Sequence, residues 1–184
     1  IDFDSTRVPV GRVYEYLKSN RDGTHPSPVS LYIAGIDRIE SLKWSAGDTT
    51  ATLVVAVLDW TRYPVRRFES WGLSRSAAPE LRAGLETHSG GGGVRVSFQP
   101  DNLIPISSWP WLSYDFDFAS LNVAMPHLRD PEAAFRFERV DVVYGGELPS
   151  FADLGSVDVT FVGREERLGR SSRRYDIEGS GLEG

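Results

Sequence analysis

The chain contains no cysteine. No disulfide, thiolate nucleophile or cysteine-based metal site can therefore be built into its 184 residues. Lysine is nearly as scarce: Lys18 and Lys43 stand against 18 arginines. That bias points to a GC-rich bacterial source and says little about mechanism. No apolar run approaches the ~18 residues that cross a bilayer as a helix. The longest, Leu53 to Leu58, is strand-sized, so the chain is not expected to span a membrane. The glycine run Ser89-Gly90-Gly91-Gly92-Gly93 lacks the Gly-Lys-Ser/Thr ending of a phosphate loop and the G-x-G-x-x-G order of a dinucleotide site. It reads as a flexible hairpin loop, and no cofactor is called for. There is no G-x-S-x-G nucleophile motif. The three histidines, His25, His88 and His127, are widely separated and form no H-E-x-x-H pattern, so no metal site is assigned. A formal net charge of −6 repels phosphate backbones, and nucleic acid is not an expected partner. Absence of cysteine is compatible with a periplasmic, an extracellular or a cytoplasmic bacterial setting alike.

What is present is a β pattern. Hydrophobic residues make up 40% and charged residues 25%, a globular balance. The length suits one domain over 1–184. Val13, Glu15 and Leu17 alternate with Tyr14, Tyr16 and Lys18, and Val29, Leu31 and Ile33 with Ser30, Tyr32 and Ala34, with Asn20-Arg21-Asp22-Gly23 as the turn between them. Ala51 to Leu58 is continuously apolar and predicts a strand covered on both faces. Tyr63 to Leu73, Leu81 to Leu85 and Val94 to Phe98 are further strands. In Ala134 to Tyr144 the apolar parity changes between Phe135/Phe137 and Val140/Val142, which predicts a β-bulge near Glu138–Arg139. Val157 to Val162 and Arg173 to Ile177 predict a hairpin turning at Leu168-Gly169. Helix is scarce: single turns are expected at Asp117–Leu121 and at Ser150–Leu154, the latter with Ser150 as its cap. Ile36 to Lys43 fits either a strand or a helical stripe. From about Gly179 a mobile or truncated tail is expected. The chain begins at Ile1 rather than Met, with which a removed leader and simple trimming are equally compatible. The fold expected is all-β with minor helix: a strongly curved antiparallel sheet that forms a barrel or half-barrel, because curling shortens exposed edges.

The densest chemistry lies in Trp109-Pro110-Trp111-Leu112-Ser113-Tyr114-Asp115-Phe116-Asp117-Phe118. If this segment is extended, Tyr114, Phe116 and Phe118 share one face and Asp115 and Asp117 the other. It reads as an aromatic wall with a carboxylate rim, or as an aromatic core face with solvated acids. Pro110 removes a backbone donor and disfavours a central strand position. Trp71 and Arg67 share one parity of a strand whose faces are both mixed, as though lining something other than a dry core. The candidate ligand-binding set is Trp109, Trp111, Phe116, Phe118, Trp71 and Arg67. The candidate acid–base set, should the protein be an enzyme, is Asp115, Asp117, His127 and Tyr114, with His127 titrating near neutrality. The pairs Arg66-Arg67 and Arg173-Arg174 read as surface ion-pair ladders or as a carboxylate clamp.

The stretch Val157-Asp158-Val159-Thr160-Phe161-Val162-Gly163-Arg164-Glu165-Glu166-Arg167-Leu168-Gly169-Arg170 resembles hairpins of bacterial half-barrel proteins of the LolA/LolB lipoprotein-carrier type. Lipocalin-like barrels share the same coarse pattern. The likeness covers about 25 residues, contains no diagnostic motif and transfers no site residue. It implies a curved antiparallel sheet around an apolar cavity. The expected function is binding of an apolar small molecule in a barrel or half-barrel cavity. The rival is a barrel-type isomerase, hydratase or cyclase. The sequence leaves the oligomeric state open.

Overall fold

A computed structural model describes residues 2–20, 22–44, 47–60, 65–97, 103–106, 110–113, 119–144 and 150–182. Strands account for 61% of the chain, and among the described residues the α-helical content is one short segment, α1 (Ala119–Ala124). The first eight strands run in sequence order as an antiparallel meander: β1 (Val13–Lys18), β2 (Ser27–Ile33), β3 (Arg38–Trp44), β4 (Thr50–Leu58), β5 (Val65–Ser74), β6 (Glu80–Thr87), β7 (Gly93–Val96) and β8 (Leu103–Pro105). A second sheet has the order β12-β11-β10-β9, from β9 (Trp111–Leu112), β10 (Phe135–Val143), β11 (Ser150–Arg167) and β12 (Arg170–Glu178). β9 lies parallel to β10 at the sheet edge, which is where Pro110 allows a strand to be. Among the described residues neither sheet closes into a barrel.

The sequence pattern explains the core. Ile33, Ile39, Ala56, Phe68, Leu85 and Val96 lie directly opposite one another from β2 to β7. None is more than 4% exposed. Strands six abreast thus present one continuous apolar row. Phe137, Val140, Val157 and Val159 of the second sheet, each fully buried, join the same hydrophobic core, as do Leu121, Val123 and Ala124 of α1. Near the chain start Phe3 pairs with Leu128 in an isolated bridge. Its ring stacks on Trp60, with centroids 4.0 Å apart and planes 5° from parallel. The Trp60 indole N–H donates to the Ile36 carbonyl, so this strap closes over one end of the core.

Several sequence expectations are refined. The ambiguous 36–43 segment is strand β3: its alternate residues Ile39 and Ser41 are buried on the core face. The Ser150–Leu154 helical turn is not formed. Those residues begin the 18-residue strand β11, and Ser150–Asp153 pair with Val140–Val143, so ladder pairing overrides a weak capping signal. The bulge falls where the parity change placed it, between Glu138 and Val140, but the extra residue is in β11. There Gly155 takes φ +102°, and the Asp153 carboxylate accepts from its N–H at 2.8 Å. The glycine run does connect a hairpin, β6 to β7, with Gly91 and Gly92 both at φ +74°. Residues 180–182, read above as part of a tail, form a 3-10 turn seated on the bulge. Gly181 is buried, and a Cβ placed on it would come within 2.6 Å of the Gly155 carbonyl.

Arg139 fastens that turn. Its guanidinium donates to the Gly181 carbonyl at 2.7 Å and to Asp141 Oδ2 at 2.9 and 3.1 Å. Asp141 Oδ1 accepts from the Val142 N–H. The hairpin β11–β12 closes at Leu168-Gly169, both with positive φ (51° and 71°). That is the two-residue turn that favours Asn-Gly. Leucine in this left-handed region costs roughly 1–2 kcal/mol.

Candidate functional site

The candidate surface is the face of the large sheet opposite the core, and strand register builds it. Side chains alternate across a strand, and partners in register share a face. At one end of this face stand Arg38, Val57, Arg67 and Glu86, in register from β3 to β6. The next row holds Tyr32, Glu40, Val55 and Glu69. Arg38 donates to Glu40 at 2.8 Å, and Arg67 lies 3.3 Å from Glu69. These ion pairs solvate that half of the face, and Val55 is buried between the two glutamates.

In the next row the chemistry changes. Ser30, Leu42, Leu53, Trp71 and Leu81 are in register across β2 to β6. The last row carries Leu17 and Pro28 in register, Trp44 and Ala51 in register, and Leu73 opposite Ala51. With strands about 4.8 Å apart and same-face residues about 7 Å apart, the strip from β1 to β6 is roughly 24 Å long and 7 Å wide. The Trp71 indole N–H donates to Glu69 at 3.3 Å, so this ring sits at the boundary between the charged and apolar halves.

At the β1 edge the strip opens into a groove of about 310 Å³ lined by Glu15, Tyr16, Leu17, Pro28, Val29, Ser30 and Trp44. Glu15 is the one charged residue among these. Leu17 is 71% and Trp44 36% exposed, large apolar side chains left open to solvent. Ser27 donates to the Trp44 carbonyl and ties down the end of β3. The ring of Tyr16 lies against that of Tyr14, centroids 6.5 Å apart. Desolvation, with a smaller contribution from Tyr14, raises the Tyr16 pKa above the usual phenol value. Tyr16 is in register with the core residue Val29, so strand alternation turns its ring to the face opposite Leu17 and Trp44.

The residues singled out from the sequence fall in different places. Trp71 and Arg67 lie on this face. Trp111 does not: it is fully buried in β9, and its indole N–H donates to Thr87 Oγ1 at 3.1 Å. It is a core residue that joins the two sheets. Trp109, Tyr114, Asp115, Phe116, Asp117 and Phe118 lie outside the described residues. His127 is in a 3-10 turn at the N-terminal strap. Its ring meets Phe3 edge-on at 6.0 Å, and its Nδ1 is buried without a hydrogen-bond partner. Burial lowers its pKa from the ordinary histidine value; Arg7 adds to this and Asp4 opposes it. Sequence reasoning missed Trp44, Leu17 and the groove. The signal was the pairing of Leu17 with Pro28 and of Trp44 with Ala51, which depends on register and not on local pattern.

Among the described residues no group of three His, Asp or Glu side chains is placed to hold a metal ion. No described helix is long and apolar enough to cross a membrane. Comparisons with protein-family models, with curated proteins and with solved structures return no match.

Proposed function

We propose that this protein is a non-catalytic binding module for an elongated apolar small molecule, held along the apolar strip and in the groove at the β1 edge. The observation that carries the reading is the groove of about 310 Å³, a volume at the lower end of small-molecule sites, continuous with Trp44, Leu42, Leu53 and Trp71. In this reading the large sheet is an open curved wall, a half-barrel rather than a closed barrel. Glu15 at the groove disfavours an anionic end group there, while the Ser30 hydroxyl offers a hydrogen bond to an uncharged one. Arg67 marks the far, charged end. The likeness of the β11–β12 hairpin to lipoprotein-carrier proteins is in keeping with a hydrophobic cargo.

The test is titration with the neutral apolar dye N-phenylnaphthylamine. Saturable binding at one site is expected, with quenching of tryptophan emission. Trp44→Ala should weaken binding about tenfold, the burial worth of one large apolar side chain, with little change in melting temperature because the ring is already 36% exposed. Absence of saturable binding, or equal affinity in Trp44→Ala and the Trp44→Ala/Trp71→Ser double variant, would overturn the assignment.

A further inference from the structure

The tip of the β11–β12 hairpin combines features that weaken folding and suit an external surface. β10 pairs with β11 only as far as Val159. Beyond it β11 and β12 continue alone, from Thr160 opposite Asp176 to Arg167 opposite Arg170. Tyr175 anchors the base: its hydroxyl donates to the Pro131 carbonyl at 2.7 Å, and its ring packs edge-on against Phe161. From Gly163 to the turn, the five-residue ribbon reaches about 16 Å beyond that anchor at ~3.3 Å per residue.

The ribbon's charge opposes that of the rest of the chain. Within Gly163–Arg174 there are five arginines (164, 167, 170, 173 and 174) and two glutamates, in a chain of net charge −6. A reach of about 16 Å is roughly two Debye lengths at physiological ionic strength, so the acidic body does not cancel the tip's positive field. Arg164 lies directly opposite Arg173, and Arg167 opposite Arg170. Like charges in register destabilise a strand pair. Arg167 lies 2.9 Å from Glu165, while Arg164 and Arg173 have no ionic partner among the described residues. At the apex stands Leu168, completely exposed (102%) and in the left-handed region. Backbone strain that presents an unburied leucine at the apex of an arginine-rich ribbon has no use inside the fold.

We infer that this tip docks on an anionic phospholipid bilayer, Leu168 entering the interfacial region and the arginines engaging headgroup phosphates. A nucleic acid offers phosphates but nothing for an apolar apex to enter. An acidic protein would need a matching pocket, whereas a bilayer accepts one protruding leucine beneath a cationic collar. The mode is peripheral, for which one apolar insertion and several basic residues act together.

The experiment is flotation of the full chain with vesicles of phosphatidylcholine alone and of phosphatidylcholine mixed with phosphatidylglycerol. Binding to the mixed vesicles only, weakening as salt rises, is expected. Arg164→Gln and Arg173→Gln should each reduce it about fivefold, the worth of one basic residue near an anionic surface. Leu168→Asn is the decisive variant. Asparagine suits the turn better than leucine, so its melting temperature should rise while vesicle binding falls about tenfold. Equal binding to neutral and anionic vesicles, no vesicle binding, or unchanged binding by Leu168→Asn would overturn the proposal. Capture by polyglutamate or by duplex DNA without vesicle binding would do the same, and would reassign the tip to that class of partner.

Discussion

Replacing Arg139 with methionine should destabilise the protein strongly, through the C-terminal turn. The Arg139 and Asp141 side chains are 17% and 7% exposed, so the pair is largely withdrawn from water. Removing one partner of such a pair costs about 3–5 kcal/mol. The residual exposure of Arg139 and the Val142 N–H that still donates to Asp141 argue for the lower end. At roughly 2–4 °C per kcal/mol for a chain of this size, the melting temperature should fall by about 6–12 °C. Arg139 also holds the Gly181 carbonyl, so the amides of residues 179–182 should lose hydrogen-exchange protection before the core does. Arg136→Met is the internal comparison. Arg136 grips Asp158 with two hydrogen bonds of 2.7 and 2.8 Å, better geometry than the Arg139 pair. Its side chain is 59% and that of Asp158 40% exposed, and solvent screening leaves such a pair little net worth. Arg136→Met should therefore shift the melting temperature far less. A double variant, Arg139→Met with Asp141→Leu, should regain much of the loss, because it replaces both members of the pair by apolar side chains. Thermal and urea unfolding measure all three. An Arg139→Met shift no larger than that of Arg136→Met would refute the reasoning.

Trp111→Ala should cost about 3–5 kcal/mol, since a fully buried large aromatic leaves a cavity, and dye affinity of the folded fraction should be unchanged; a large affinity loss would return Trp111 to the ligand site. For His127 the sign follows from its lowered pKa. The unfolded chain binds the proton more readily, so stability rises with pH. The contribution is complete above the ordinary histidine value near 6.5 and is lost as pH falls through the depressed value. Melting temperature between about pH 7.5 and 5 should therefore fall more in the native chain than in His127→Gln, and identical profiles would remove His127 from the account.

The strands were legible where a single period governs a segment. β1 alternates without interruption, and β4 is apolar at nearly every position, so both could be read from their own residues. The bulge was legible because Phe137 and Val140 are three apart yet had to share a core. Its placement in β11 was not, because either strand can supply the extra residue. Pairing decided it, through a glycine that can take φ +102°. Ser150–Leu154 misled because a Ser followed three residues later by an acid is a local signal worth about a kcal/mol, outweighed by a ladder with β10 that continues into the longest strand of the chain. β8, three residues long, has too few positions to show a period at all.

The site was less legible than the fold, for a related reason. A dense aromatic segment such as Trp109–Phe118 draws attention by composition, but composition does not distinguish a wall that meets ligand from one that meets core. Trp111 meets core, because its strand is sandwiched where β6 can offer Thr87 to the indole. The opposite face of the large sheet has no dense segment. Its apolar strip takes one or two residues from each of six strands: Leu17, Pro28, Leu42 with Trp44, Leu53, Trp71 with Leu73, and Leu81. In each strand those residues are neighbours of charged or buried positions and look unremarkable alone. Only register aligns them, and it aligns the ion-paired residues Arg38, Glu40, Arg67 and Glu69 with them as a separate half of the face. A face so divided follows from the positions of apolar residues along each strand rather than from their number. Sliding β3 by one residue against β4 would turn Ile39 to the outer face and Glu40 and Leu42 toward the core. The buried row through Ile39, Ala56 and Phe68 forbids that slip. The core thus fixes the register, and the register in turn assembles the surface on the other side of the sheet.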